Sequence, residues 1–190
     1  FFTPVPITRF IISSLPLKEF VQSKIDRREP HVIPAVIDYA CGSGHFLTEY
    51  MSQMQTVIDK KIIVSAAAPD IRNMIQSWQG LRKFLWAKDS VYGIDLDNRL
   101  VKTTKVSAFF NGDGEANIIW ANGLDNFEKA EEYRDLLKIT QPYNRKNNGQ
   151  FDILISNPPY SVEAFKSMLK YGEDTFELYN NITRFQSCYQ

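Results

Sequence analysis

The stretch richest in chemistry is Ser156-Asn157-Pro158-Pro159-Tyr160, which follows the apolar run Phe151 to Ile155. Two consecutive prolines fix the backbone and remove two amide donors. Pro158 therefore presents a carbonyl without a competing N–H. Asn157 places a neutral side-chain acceptor beside it. Tyr160 offers a flat ring. The set suits a planar base that carries an exocyclic amine: two acceptors take its two N–H groups, and the ring stacks on its face. The alternative is a Pro-Pro turn that only closes a strand.

A second constellation is Ile37-Asp38-Tyr39-Ala40-Cys41-Gly42-Ser43-Gly44, which reads as strand, glycine turn, helix start. Glycines there let a ligand approach the backbone and free the amides at the helix start. A tight turn with no ligand is the bland alternative. The third is Val91-Tyr92-Gly93-Ile94-Asp95-Leu96-Asp97. Asp95 falls at a strand end, where a carboxylate accepts from both hydroxyls of a ribose. Asp97 fits a helix cap better, which leaves Asp95 free for the ribose.

A nicotinamide dinucleotide fits these residues poorly. Its fingerprint needs a third glycine three residues after the second, and Leu47 stands there. The acid belongs about twenty residues further on. Asp95 lies well past that, beyond an extra helix. A smaller nucleoside cofactor fits better.

The elements that must position these residues alternate. Apolar residues Phe10, Ile11 and Leu15, then Leu17, Phe20, Val21 and Ile25, predict two helices parted by Pro16. Val32 to Tyr39, Ser90 to Leu96, Asn117 to Ala121 and Phe151 to Ile155 read as strands. Phe46 to Asp59, Ile71 to Ala87 and Asp97 to Phe110 read as helices. Ile71, Met74, Ile75, Trp78, Leu81 and Leu85 form the stripe of the second of these. Glu128 to Leu137 reads as a short helix, and Asn144 to Gln150 as a mobile surface loop. The alternation implies an α/β fold, a mostly parallel sheet with helices on both faces, preceded by N-terminal helices. Such sheets bind ligands beyond the carboxyl ends of their strands. All three constellations sit at those ends.

Composition narrows the class. The chain has 190 residues, 44% hydrophobic and 23% charged, which suits an ordinary globular domain. Lysine plus arginine and aspartate plus glutamate both number 22, so a strongly basic nucleic-acid module is excluded, although a local basic face is not. Cys41 and Cys188 make neither a disulfide framework nor a metal site, and a reducing cytoplasm is the expected location. No apolar run approaches a membrane span. The chain opens on Phe1 and ends soon after its most informative motif, so a longer protein is expected.

In this order the motifs resemble the catalytic domain of S-adenosylmethionine-dependent DNA adenine-N6 methyltransferases, in the arrangement of type I modification subunits and related fused enzymes. Phe1-Phe2-Thr3-Pro4 is similar to the family's FTP cofactor segment. Asp38 to Gly44 is similar to its DPACGSG loop. Tyr92-Gly93-Ile94-Asp95 is similar to its ribose-binding strand end. Ala121-Asn122-Gly123-Leu124 stands at its adenine-side position, and Asn157 to Tyr160 at its catalytic motif. The resemblance implies a Rossmann-like methyltransferase fold, with a helical segment over residues 1–30 and a catalytic domain over 31–190. Further strands and a target-recognition region would lie beyond the chain.

The resemblance also implies roles. S-adenosylmethionine would be held by Phe2, Thr3, Pro4, Asp38, Ala40, Cys41, Gly42, Gly44, Phe46, Asp95, Leu96, Asn122, Gly123 and Leu124. Catalysis would fall to Asn157, Pro158, Pro159 and Tyr160, and no metal is implied. Tyr39 replaces the usual proline of the loop, and Asn122 stands where many relatives carry Asp. The implied partners are double-stranded DNA, a specificity subunit or fused target-recognition domain, and a restriction subunit. Methylation of RNA guanine or protein glutamine is the nearest rival, because their motifs resemble Asn157 to Tyr160. A non-catalytic DNA- or cofactor-binding subunit is the rival from another class.

Overall fold

Proline starts the first two helices. Pro4 precedes α1 (Val5–Ser13) and Pro16 precedes α2 (Leu17–Asp26), so Pro16 parts the two helices as the sequence predicts. In this computed structural model the described residues are 3–60, 62, 67–80, 82–110, 112, 117–125, 131–133, 137 and 151–158. The buried face of α2 is Leu17, Val21 and Ile25, at helical spacing. The buried face of α1 is Thr8 and Ile12; of the predicted stripe, Ile11 and Leu15 are partly buried against the core and Phe10 is not. Phe10 lies two positions from each, hence on the opposite side, and is 75% exposed. The Thr8 hydroxyl donates to the Val5 carbonyl at 2.8 Å, so its burial leaves no unmet donor.

The strands β1 (Val36–Asp38), β2 (Val91–Asp95), β3 (Asn117–Trp120) and β4 (Ile153–Leu154) form one parallel sheet in the order β3-β2-β1-β4. Helices α3 (His45–Lys60), α4 (Pro69–Gln79) and α5 (Ala87–Ser90) lie between β1 and β2, and α6 (Asn98–Phe110) lies between β2 and β3. The fold is an α/β, Rossmann-like one. Strand residues alternate between two cores, as period two demands. Val36, Val91, Ile118 and Ile153 join Ile12, Val21, Tyr50 and Ile75 on one face. Ile37, Tyr92, Ile94 and Ile119 join Tyr133 and Leu137 on the other. Each such fully buried aliphatic side chain contributes roughly 1.5–3 kcal/mol. The two N-terminal helices share the first core with β1 and α3.

Three boundaries differ from expectation. Strand β1 is shorter than Val32 to Tyr39, because Pro34 has no N–H for the ladder. The Pro34 carbonyl instead accepts from the Tyr50 hydroxyl at 2.6 Å. Strand β4 is likewise shorter than Phe151 to Ile155. The helix expected over Ile71 to Ala87 ends at Gln79, before Gly80, a poor helix residue. Beyond it Phe84 takes φ +64°. Gln55 of α3 explains the break: its Oε1 accepts from the Phe84 amide at 3.2 Å and from Trp86 Nε1 at 2.9 Å. Its Nε2 donates to the Trp78 carbonyl and to Asp59. A continuous helix would leave this buried glutamine without those donors. Of the stripe, Ile71 and Ile75 are buried and Leu85 is exposed, while Leu81 lies outside the described residues. Residues Glu131–Tyr133 form a 3-10 turn within the predicted Glu128 to Leu137 helix. The predicted loop at 144–150 lies outside the described residues.

Strand order decides where a ligand could sit. β2 and β3 extend the sheet on one side of β1, and the chain then places β4 on the other side. Strand order reverses between β1 and β4, and a crevice at their carboxyl ends is where open α/β sheets bind ligands. Asp38 ends β1, and Ser156 and Asn157 follow β4. On the far side of the sheet, Lys24 ties α2 to the start of β4 through Asp152 (3.0 Å) and also pairs with Glu29 (3.1 Å). Among the described residues no helix is long and apolar enough to cross a membrane.

Candidate functional site

Asp38 is 1% exposed at the end of β1. Its Oδ1 accepts from the Ala40 amide at 3.1 Å and from the Ser156 hydroxyl at 2.8 Å. Burial pushes its pKa up to about 6, opposed by those two hydrogen bonds and reinforced by the Asp95 charge. The end of β1 is thereby joined to the end of β4.

The glycine turn follows. Gly42 and Gly44 have φ of +54° and +77°, values that disfavour side chains. A Cβ on Gly44 would also meet Thr104 Cγ2 of α6 at 2.5 Å. The Thr104 hydroxyl donates to the Gly42 carbonyl at 2.7 Å and clamps the turn from behind. The amides expected to be free are those at the start of α3, whereas four amides of the turn ahead of it are already bonded. The Ala40 amide goes to Asp38, Cys41 to the Ile94 carbonyl, Gly42 to Asp95 and Gly44 to the Cys41 carbonyl. The protein uses these donors to hold the turn, because buried amides need partners. The Cys41 and Phe46 side chains lie in the core rather than in the crevice. Burial raises the Cys41 thiol pKa, with Asp38 and Asp95 adding to the rise, so it is no thiolate nucleophile.

Asp95 is not free, contrary to expectation. Its Oδ2 accepts from the Gly42 amide at 2.8 Å and its Oδ1 from the Asp97 amide at 2.8 Å. The carboxylate is drawn in because it must hold the turn of the neighbouring strand. Each oxygen keeps a second lone-pair direction for a ligand hydroxyl. Asp97 is the expected cap: it accepts from the Arg99 amide at 2.9 Å. The Arg99 side chain grips it at 2.7 and 3.1 Å, and these bonds pull its pKa down to about 2. Leu96 is exposed beside it, and Trp120 Nε1 donates to its carbonyl at 2.9 Å.

At the end of β3, Asn122 Oδ1 accepts from the Leu124 amide at 3.2 Å, and its Nδ2 reaches Asp125 at 3.4 Å. The amide thus braces its own turn. A Cβ on Gly123 would fall on the Tyr39 carbonyl oxygen, so this turn is pressed against the loop after β1. The buried Tyr133 donates its hydroxyl to the Asn122 carbonyl.

At the end of β4, Asn157 Nδ2 donates to Thr3 Oγ1 at 2.9 Å, across 154 positions of sequence. The Thr3 carbonyl pairs with His45 Nδ1 at 3.1 Å, which requires the tautomer protonated there. Pro4 and Pro158 are exposed beside these residues. Phe2, Pro159 and Tyr160 lie outside the described residues. The structure therefore links Thr3, Asp38, Gly42, Asp95 and Asn157 through a short set of bonds. Sequence reasoning gave no role to Ser156, His45, Thr104 or Tyr133. Ser156 was signalled by its place directly before Asn157. The others act across long separations and left no local signal.

Asp38 and Asp95 have no lysine or arginine partner among the described ion pairs. Asp38 is buried, so the charge left partly open at these strand ends is that of the half-buried Asp95, which repels a pyrophosphate and favours a cation. Among the described residues no cluster of three metal-ligating side chains occurs.

No curated protein matches the chain. A family model, described as Eco57I restriction-modification methylase, matches residues 89–186, just over half of it. The matched segment takes in β2, β3 and β4 with Asp95 and Asn157, while Thr3 and the glycine turn precede it. The shared segment thus carries the strand-end acid and the Asn-Pro-Pro-Tyr motif, and the chain belongs to the Eco57I restriction-modification methylase family, a family of DNA methyltransferases.

Proposed function

We propose that this domain transfers a methyl group from S-adenosylmethionine to the N6 amine of an adenine flipped out of double-stranded DNA. One observation carries the reading. Asn157, a neutral acceptor, stands one bonded contact from the Thr3 segment and one residue from Ser156, which is tied to Asp38 of the glycine-turn loop. A substrate amine and a nucleoside cofactor would then share one crevice.

The residues fit that cofactor. It is a cation at its sulfonium and ammonium groups; the half-buried Asp95 carboxylate would face it, and the buried Asp38 carboxylate would act from behind the turn. Asp95 would accept from the ribose hydroxyls with its remaining lone pairs. The backbone of Gly42 and Gly44 would bear the cofactor closely, with Ala40 and Cys41 shaping the turn and Phe46 backing it. Leu96, Asn122, Gly123 and Leu124 would flank its base, and the backbone of Phe2, Thr3 and Pro4 would close the other side. When bound, the cofactor supplies an electrophilic methyl group on its sulfonium.

The chain's own part is electrostatic. The adenine amine is a weak nucleophile, because its lone pair is delocalised into the ring. Asn157 Oδ1 and the Pro158 carbonyl would accept its two N–H bonds. That favours a pyramidal nitrogen and stabilises the positive charge that develops on it. Pro159 would hold the carbonyl in place, and Tyr160 would stack on the base. No strong general base is needed, since the amine becomes acidic only as it is methylated. Base flipping is required, because N6 is out of reach inside a duplex. Target choice would fall to a specificity subunit or a fused recognition domain.

The test is a methylation assay with labelled cofactor on DNA, RNA and a glutamine-bearing release-factor fragment, followed by nucleoside mass spectrometry. N6-methyladenine in DNA is expected. Methylcytosine, methylguanine in RNA, or methylglutamine would overturn the assignment. Calorimetry should show S-adenosylmethionine binding in preference to NAD, and stronger NAD binding would reject the cofactor.

A further inference from the structure

We infer that Thr3 is a positioning residue for Asn157, and that its hydroxyl serves the catalytic amide rather than the cofactor. The inference rests on the reading of Asn157 as the group that meets the substrate amine. The Thr3 hydroxyl oxygen accepts from Asn157 Nδ2 at 2.9 Å. A side-chain amide has a donor end and an acceptor end of almost equal size. Anchoring the donor end on a fixed post fixes the plane and place of the acceptor end.

Thr3 is such a post. Its carbonyl is held by His45 Nδ1 at 3.1 Å. It precedes Pro4, which restricts its backbone to extended conformations. The Pro4 carbonyl is itself fixed by the Ile7 and Thr8 amides, at 2.9 and 3.1 Å, at the start of α1. His45 is the first residue of α3 and follows Gly44 directly. The post is therefore registered to the glycine turn. Asn157 is placed relative to the cofactor side of the crevice through Thr3 and His45, not through its own loop alone. In-line transfer demands such registration, since a misplacement of about 1 Å can cost roughly 100-fold in rate. The hydroxyl can also donate. The polarity of the amide is thus decided from its far end, where an amine bringing two N–H donors selects the oxygen.

The test compares Thr3→Val, which keeps the shape and removes the hydroxyl, with Thr3→Ser, which keeps the hydroxyl. Both are made in the full-length protein. Three quantities are measured: the single-turnover rate of adenine methylation at saturating S-adenosylmethionine, the calorimetric affinity for that cofactor, and the 15N–1H signals of the Asn157 side-chain amide. Thr3→Val should lower the rate about 10- to 100-fold with cofactor affinity unchanged, and should move the Asn157 signals. Thr3→Ser should recover most of the rate and the signal positions. A wild-type rate in Thr3→Val, a loss that appears only as weakened cofactor binding, or unmoved amide signals would overturn the inference. If the wild-type protein itself methylates no adenine, the proposed activity fails, and the amide signals alone decide whether Thr3 holds Asn157.

Discussion

The hydroxyl of Ser156 donates to the buried carboxylate of Asp38 at 2.8 Å, joining residues 118 positions apart at the ends of β4 and β1. Those strands flank the point where strand order reverses. The contact couples the loop that would bear the cofactor to the residue preceding the catalytic amide. It also places a carboxylate where ionisation is costly.

Asp38 should make the protein less stable as pH rises. Its pKa is about 6 in the folded chain against 3.8 for an ordinary aspartate. Between those values the unfolded chain loses the proton while the folded chain keeps it, so rising pH favours unfolding. The penalty is absent below about pH 4 and complete above about pH 6, and two pKa units correspond to about 3 kcal/mol. In urea titrations, Asp38→Asn should gain about that much relative to wild type between pH 4 and pH 7. A difference independent of pH would show that Asp38 ionises normally.

Ser156→Ala removes a hydrogen bond that favours the ionised carboxylate. The Asp38 midpoint should then move above about 6, because burial is less opposed. A 13C carboxyl titration by NMR reads it directly. A midpoint equal to that of wild type would mean that the hydroxyl does not act on the charge.

Asp95→Ala should destabilise the protein even without ligand. The carboxylate holds the amides of Gly42 and Asp97. Hydrogen bonds to a charged group contribute roughly 1.5–3 kcal/mol each. Unfolding of the ligand-free variant should show a loss of that order, together with weaker cofactor binding. Unaltered stability with weakened binding would restore the picture of an acid held only for ligand.

Asn157→Ala should lower methyl transfer about 10²- to 10³-fold, as loss of one preorganised electrostatic group does. Cofactor affinity should stay nearly unchanged. Tyr160→Ala should instead weaken capture of the flipped base by about 1–3 kcal/mol, and Tyr160→Phe should be mild. Single-turnover rates and a fluorescent-base signal separate the variants. Near wild-type transfer by Asn157→Ala would reject the mechanism even with the family intact.

The sequence by itself determined the local features. Pro16 parts two helices, Asp97 caps α6, and α3 lies within one residue of the predicted Phe46 to Asp59. These follow from caps, prolines and periodicity, which act over a few residues. The Asn-Pro-Pro-Tyr motif and the glycine turn were legible for the same reason: each is a run of neighbours with unusual backbone demands. Strand order was not legible, since nothing local says on which side of β1 the chain will place β4. That choice alone brings Ser156 to Asp38 and Asn157 to Thr3. The sequence also left Asp95 free, while the fold spends both its oxygens on amides of Gly42 and Asp97. Gln55 broke a helix that periodicity had drawn through Gly80, because buried donors from another segment needed its oxygen. In each case a buried polar group took its partner from a distant part of the chain, and only the folded backbone sets which groups meet.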